Sequence, residues 1–120
     1  MKQYFKTHEW IEESSNGAYY IGISEYAARR LGDVVFIEQM EDQSSFIAGD
    51  TLMILESVKA VGDVYAPFAC EVVRVNDKIV KTPEELTGEE WLLEIKPLDS
   101  LPELDSLNDS DYEAYVKKEG

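Results

Sequence analysis

Lys59 lies inside the run "ILESVKAVGDVYAP", residues 54–67, and its amine is the most conspicuous reactive group in the chain. A strand pattern leads into it and another leads away, so the lysine sits on a hairpin tip. Such tips are normally built from Gly, Asn, Asp or Pro, which tolerate the backbone angles of tight turns. Here the turn residues are Val58, Lys59 and Ala60. Glu56 and Asp63 bracket the tip, three residues before the lysine and four after it, as marks a modifying enzyme can read. A primary amine forms a stable amide that carries a long prosthetic arm. Acylation also removes the positive charge, so apolar neighbours suit the modified side chain. The competing reading is a solvated lysine that discourages edge-to-edge strand pairing.

Two further groups invite chemistry. His8 is the one histidine and Cys70 the one cysteine, a candidate base and nucleophile. No third orienting group or nucleophile signature accompanies them, so that pairing is set aside. Cys70 reads as a small buried hydrophobe. A lone cysteine excludes an internal disulfide and fits a reducing compartment. There is no Cys/His cluster for zinc and no Gly-rich loop for phosphate.

The elements that must present the lysine follow from pattern. "HEWIEESSNGAYYIGIS" predicts two strands around an Asn16-Gly17 turn, with Tyr19, Ile21 and Ile23 on one face. "SEYAARRLG" predicts a short helix. Ser24 caps its start, Arg29 and Arg30 complement the dipole at its end, and Gly32 supplies a left-handed residue beyond it. "DVVFIEQM" is a strand, Gly49-Asp50 a turn, and Thr51–Ser57 the strand before the lysine. After it come a short extended piece, the separator Pro67, and a strand over Glu71–Val75. In "KTPEEL", Thr82, Pro83 and Glu85 predict one capped helical turn, and "EWLLEIKP" predicts the last strand. Two short helices are expected at the C-terminus, from capping boxes at Ser100/Glu103 and Ser110/Glu113. Their apolar faces would carry Leu101, Leu104 and Leu107, then Tyr112, Tyr115 and Val116. Trp10 and Trp91 are expected to anchor the core. Short strands with turns about every 8–12 residues predict a mainly β sandwich or flattened barrel.

Composition bounds the partners. The 120 residues fit one domain, with a helical extension over about 100–118. Eleven Lys and Arg against 25 Asp and Glu give a net charge of −14. That surface repels nucleic acid and anionic membranes, and suits basic patches on partner proteins or simple solubility. No apolar run approaches the roughly 20 residues of a membrane span. The N-terminal residues show neither a signal-peptide core nor transit-peptide composition, so a cytoplasmic protein is expected.

The run "GDTLMILESVKAVGDVYAPFACEVVRVN" resembles the lipoyl-attachment hairpin of the glycine cleavage system H proteins. The likeness extends through "THEW", "IGISEYA", "LGDVVFIE", "EEWLLEIKP" and "YEAYV", nearly the whole chain. "ESVKA" is more specific than the D-K-A of ordinary lipoyl domains, and "HEW" is a feature those domains lack. Biotinyl carriers carry methionines around the lysine, so Val58 and Ala60 argue against that class.

The resemblance implies a lipoyl-domain fold of barrel-sandwich type and a carrier in place of a catalyst. It implies lipoate in amide linkage to Lys59, with Glu56, Ser57, Val58 and Ala60 recognised by a lipoate ligase or lipoyl transferase. The implied task is to take an aminomethyl group from a pyridoxal-phosphate-dependent glycine decarboxylase to a tetrahydrofolate-dependent aminomethyltransferase. Dihydrolipoamide dehydrogenase then reoxidises the dithiol. Thr7, Glu9 and Asp63 match the positions that line the family's arm cleft, where a carboxylate pairs with the arm's ammonium; otherwise Glu9 is an exposed edge-strand charge. Glu56 alternatively reads as an ordinary strand-end carboxylate. Two departures stand out. Cys70 occupies a usual glycine position, where a positive φ would cost about 1 kcal/mol. "TPEELTGEEW" is also shorter than the family's loop, which keeps open an H-like scaffold for lipoate relay or another lipoyl pathway. An unmodified acidic interaction domain is the remaining alternative.

Overall fold

The computed structural model describes residues 1–15, 17–40 and 43–119. The period-two pattern around "NG" becomes β2 (Glu9–Glu13) and β3 (Tyr19–Ile23), paired antiparallel with Ile11 opposite Ile21. Asn16, half of the expected turn, lies outside the described residues; Gly17 has the positive φ the turn demands, 79°. Ahead of them is a two-residue strand, β1 (Gln3–Tyr4).

Helix α1 (Glu25–Leu31) begins and ends as its residues require. The Ser24 hydroxyl accepts from the Ala27 amide at 3.1 Å, and the Gly32 amide donates to the Ala28 carbonyl at 3.1 Å. Gly32 has φ 79° but ψ −147°, a region outside the left-handed helical well that is essentially restricted to glycine. Ala28 and Leu31 face inward.

The remaining strands are β4 (Val34–Gln39), β5 (Ser45–Phe46), β6 (Thr51–Ser57), β7 (Val61–Tyr65), β8 (Cys70–Val75) and β9 (Leu93–Pro97). They form two antiparallel sheets. The larger has the order β1-β2-β3-β9-β8-β5, and the smaller is β4-β6-β7. Their inner faces meet through Ile11, Ile21 and Ile95 from one sheet and Met53, Leu55 and Val64 from the other, with Phe68 between. This is the mainly β, two-sheet sandwich that the strand spacing predicts.

The helices outside the sandwich differ from expectation in instructive ways. Residues 101–106 form no helix, and the Ser100/Glu103 capping box is absent. Leu107 exchanges backbone hydrogen bonds with Tyr4 at 2.7 and 2.8 Å, so the chain is drawn out as a strand-like bridge. One C-terminal helix forms, α3 (Asp109–Glu119). Its cap is the Asn108 side chain, which accepts from the Asp111 amide at 2.8 Å, and not Ser110. "KTPEEL" makes only a 3₁₀ turn, Pro83–Glu85, after an unanticipated helix α2 (Asp77–Lys81). The Thr82 hydroxyl does not cap it, because it donates back to the Lys78 carbonyl at 2.7 Å. Trp10 is buried, donating its indole N–H to the Ile23 and Gly88 carbonyls. Trp91 is half-exposed, with the Arg74 guanidinium 4.9 Å above its ring.

Cys70 is fully buried and opens β8 opposite Phe46 and Pro97. Its φ is not positive, so the expected backbone penalty does not arise. Burial, with Asp50 nearby, pushes its thiol up to about 11, which leaves it protonated and unreactive at neutral pH.

Candidate functional site

The Lys59 tip is closed by a side chain. In a two-residue hairpin the flanking residues exchange both backbone hydrogen bonds. Here the Ser57 amide donates to the Ala60 carbonyl at 2.8 Å, but the return bond goes to the Ser57 hydroxyl. That oxygen accepts from the Ala60 amide at 3.0 Å and from the Lys59 amide at 3.3 Å. The serine thus replaces the glycine that primed turns require. Among the described residues the one non-glycine positive φ belongs to His8, so Val58 and Lys59 keep ordinary angles. This explains how Val, Lys and Ala occupy a tight tip, and it gives Ser57 a structural task.

Lys59 is exposed, and no ion pair reaches it among the described residues. Val58 is 83 % exposed and Val61 64 %, while Ala60 turns inward against the core. Glu56 is half-buried near the end of β6, between Phe36 and Val61 across the strands. The tip lies against the end of α1, where a Cβ on Gly62 would crowd the Leu31 Cδ2 at 3.2 Å.

Asp63 lies on β7, Glu9 reaches that strand through Tyr65, and Thr7 bonds to Glu9. Glu9 is not the exposed charge that one reading expected; it is only 2 % exposed. One carboxylate oxygen accepts from the Thr7 hydroxyl, and the other accepts from the Tyr65 amide at 3.0 Å. β7 is the free edge of the small sheet, so Glu9, at the start of β2, joins the two sheets. Burial raises the Glu9 pKa, and the bonds from Thr7 and Tyr65 work against that rise. Asp63, half-buried, accepts from the Thr51 hydroxyl at 3.2 Å and shares no hydrogen bond with Thr7 or Glu9.

His8 and Cys70 do not meet. The His8 ring bonds to the Tyr112 hydroxyl at 2.7 Å and to Glu119 at 3.0 Å, which fastens α3 to the start of β2. Tyr112 also shares a hydrogen bond with Ser24 at 2.7 Å and stacks on Tyr4 with centroids 4.5 Å apart. The loop before Trp91 is drawn tight around Glu90. Its carboxylate accepts from the Thr87 hydroxyl at 2.7 Å, the Thr87 amide at 2.8 Å and the Gly88 amide at 3.1 Å. Partial burial pushes the Glu90 pKa up, but these bonds outweigh it and the net direction is down.

Lys59 is thus an exposed lysine on a side-chain-closed tip, without a charged partner among the described residues. The family model described as "Glycine cleavage H-protein" matches residues 2–119. The chain belongs to the glycine cleavage H-protein family. It is 43% identical to the glycine cleavage system H protein of Shewanella loihica over 98% of this chain and 94% of that one. It is 41% identical to that of Escherichia coli over the same shares. The crystal structure of a glycine cleavage system H protein from Mycobacterium marinum superposes with a TM-score of 0.82 at 29% identity, covering 97% of this chain and 96% of that one. Membership makes the chain a lipoyl carrier of the glycine cleavage system and not a catalyst. Among the described residues no helix is long and apolar enough to cross a membrane.

Proposed function

We propose that Lys59 is the lipoylated residue. On this proposal the chain carries the aminomethyl group of glycine from a pyridoxal-phosphate-dependent decarboxylase to a tetrahydrofolate-dependent aminomethyltransferase. Dihydrolipoamide dehydrogenase and a lipoate ligase or lipoyl transferase are its further partners. The observation that carries the reading is the tip itself: an unpaired, exposed amine on a hairpin whose turn is fixed by the Ser57 hydroxyl. Those residues fit a lipoyl amide, since acylation there breaks no ion pair among the described residues and exposes no buried group. Bound there, the group supplies a dithiolane whose sulfur accepts and releases the one-carbon unit. The protein supplies the tether, which raises the effective concentration of the arm's end at each partner's active site.

Glu56, Val58 and Ala60 are proposed as the features a ligase reads, with Ser57 acting through the shape of the turn. Thr7, Glu9 and Asp63 are proposed as the polar groups the arm meets on folding back. They follow the free edge of β7, which spans roughly 13 Å from Val61 to Tyr65 at strand rise. Shielding a hydrolysable load from water there is useful chemistry.

Intact mass tests the attachment. Incubation with lipoate, ATP and a lipoate ligase should add one lipoyl group, and Lys59→Arg should abolish the addition. An addition that survives Lys59→Arg, or none in the parent chain, overturns the assignment. The lipoylated protein should then support bicarbonate exchange into glycine with the decarboxylase. We keep one second reading, a scaffold for lipoate relay, in which lipoylation succeeds and this exchange fails.

A further inference from the structure

The Lys59 side chain does not project freely from the hairpin. It lies across the bare backbone of Gly32, just past the end of α1. A Cβ placed on Gly32 would meet the lysine Cε at 3.2 Å, Nζ at 3.7 Å and Cδ at 3.9 Å. Three successive atoms of the stem therefore follow the glycine surface. Below the tip, a Cβ on Gly62 would approach the Leu31 Cδ2 at 3.2 Å, so the end of α1 also packs closely on the hairpin. Gly32 is also the residue whose φ and ψ, 79° and −147°, exclude side chains.

We infer that Gly32 is a positioning residue for acylation: it is the shelf that aims the Lys59 amine at the modifying enzyme. This rests on Lys59 being the lipoylated residue. In that reaction the Lys59 nitrogen attacks the carbonyl carbon of a lipoyl-adenylate, which the ligase makes from lipoate and ATP. The C–N amide bond forms, the C–O bond of the mixed anhydride breaks, AMP leaves, and the amine proton passes to solvent. Attack requires the nitrogen lone pair to approach along one direction, and a displacement of about 1 Å costs on the order of 100-fold in such reactions. A methyl on Gly32 makes the lysine Cε give by a few tenths of an ångström while leaving the amine exposed.

The test compares Gly32→Ala with Gly49→Ala. Gly49 also has a positive φ, 91°, but a Cβ there meets nothing within 4 Å, so it controls for a side chain added at a positive-φ glycine that touches no neighbour. Initial rates of Lys59 lipoylation are read by intact mass and split into kcat and KM. Lys59 acetylation by a small soluble acyl ester is followed by peptide mapping. Gly32→Ala should lower kcat/KM for the ligase by about 3- to 10-fold, mainly through kcat, with small-reagent acetylation changed less than about two-fold. Gly49→Ala should match the parent in both. Equal ligase rates for Gly32→Ala and the parent overturn the inference while leaving the lipoylation site intact. A parent chain that is not modified at Lys59 overturns the reading beneath it, and the inference with it. Should Gly32→Ala not fold, the parent decides: nuclear Overhauser contacts between Gly32 Hα and Lys59 Hε support the shelf, and their absence overturns it.

Discussion

Replacing Glu9 by alanine removes the acceptor that closes the free edge of β7. The Tyr65 N–H, now bonded to Glu9 at 3.0 Å, loses its partner at a part-buried position on an edge strand, so the cost of a fully buried amide is an upper bound. An unsatisfied buried amide costs about 1–3 kcal/mol. The void left by the carboxylate arm adds about 1 kcal/mol, and relief from burying a charge offsets part of both. The net loss is about 2 kcal/mol, which for a chain between the surveyed size classes lowers Tm by roughly 8 °C. Glu9→Gln separates geometry from charge. Its amide oxygen accepts from Tyr65, its NH₂ donates to the Thr7 hydroxyl, and no charge is buried. It is expected to stay within about 0.5 kcal/mol of the parent near pH 7, or to exceed it. The sign with pH follows from burial, which raises the Glu9 pKa in the fold against the opposing bonds from Thr7 and Tyr65. The folded state then holds the proton more tightly than the unfolded chain. The parent therefore loses stability as pH rises from about 4.3, the unfolded glutamate value, through the raised folded value. The glutamine variant has no such loss, so the stability of Glu9→Gln relative to the parent should climb across that window and then level. Thermal and urea unfolding between pH 4 and 8 measure this. A fall of less than about 2 °C for Glu9→Ala, equal losses for the alanine and glutamine variants near pH 7, or the opposite pH slope refutes the reasoning.

Ser57→Ala removes the one oxygen that holds both the Lys59 and Ala60 amides, and is expected to cost about 1–2 kcal/mol in urea unfolding and to slow lipoylation of Lys59. Ser57→Gly should recover neither, because the positions a primed turn would require to be glycine are Val58 and Lys59. Cys70, with its thiol pushed up to about 11 and no exposed surface, should resist a thiol-reactive disulfide reagent at pH 8 in the folded protein and react fully in denaturant; rapid reaction without denaturant would contradict its burial.

What the sequence made legible was local. Ser24 and Gly32 mark the two ends of α1 because their signals act within one helical turn. Strand β6 forms over Thr51–Ser57, the residues expected after the Gly49-Asp50 turn. What stayed hidden depends on partners far along the chain. Leu101, Leu104 and Leu107 have helical spacing, yet Leu107 is committed to Tyr4 at the opposite end of the chain, and the bridge overrides the pattern. Glu9 looks like a surface charge until Tyr65, 56 residues on, supplies the amide that makes its burial tolerable. His8 suggested a base for Cys70; its actual partners, Tyr112 and Glu119, come from the last helix.

The apolar neighbours of Lys59 follow from the same turn. A primed turn would force positive φ on the tip and restrict it to glycine or asparagine, residues that leave the chain loose. Moving one backbone bond onto the Ser57 hydroxyl removes that demand, and β-branched Val58 becomes permissible. Val58 and Val61 each restrict their own backbone and χ1. They stay stiff although largely exposed, at 83 % and 64 %. That exposure sacrifices burial of about 1.5–3 kcal/mol per side chain. A lysine needed only for solubility gives no reason to accept it. An amine that must meet an enzyme in one orientation does, because order installed in the free protein need not be imposed again at each encounter.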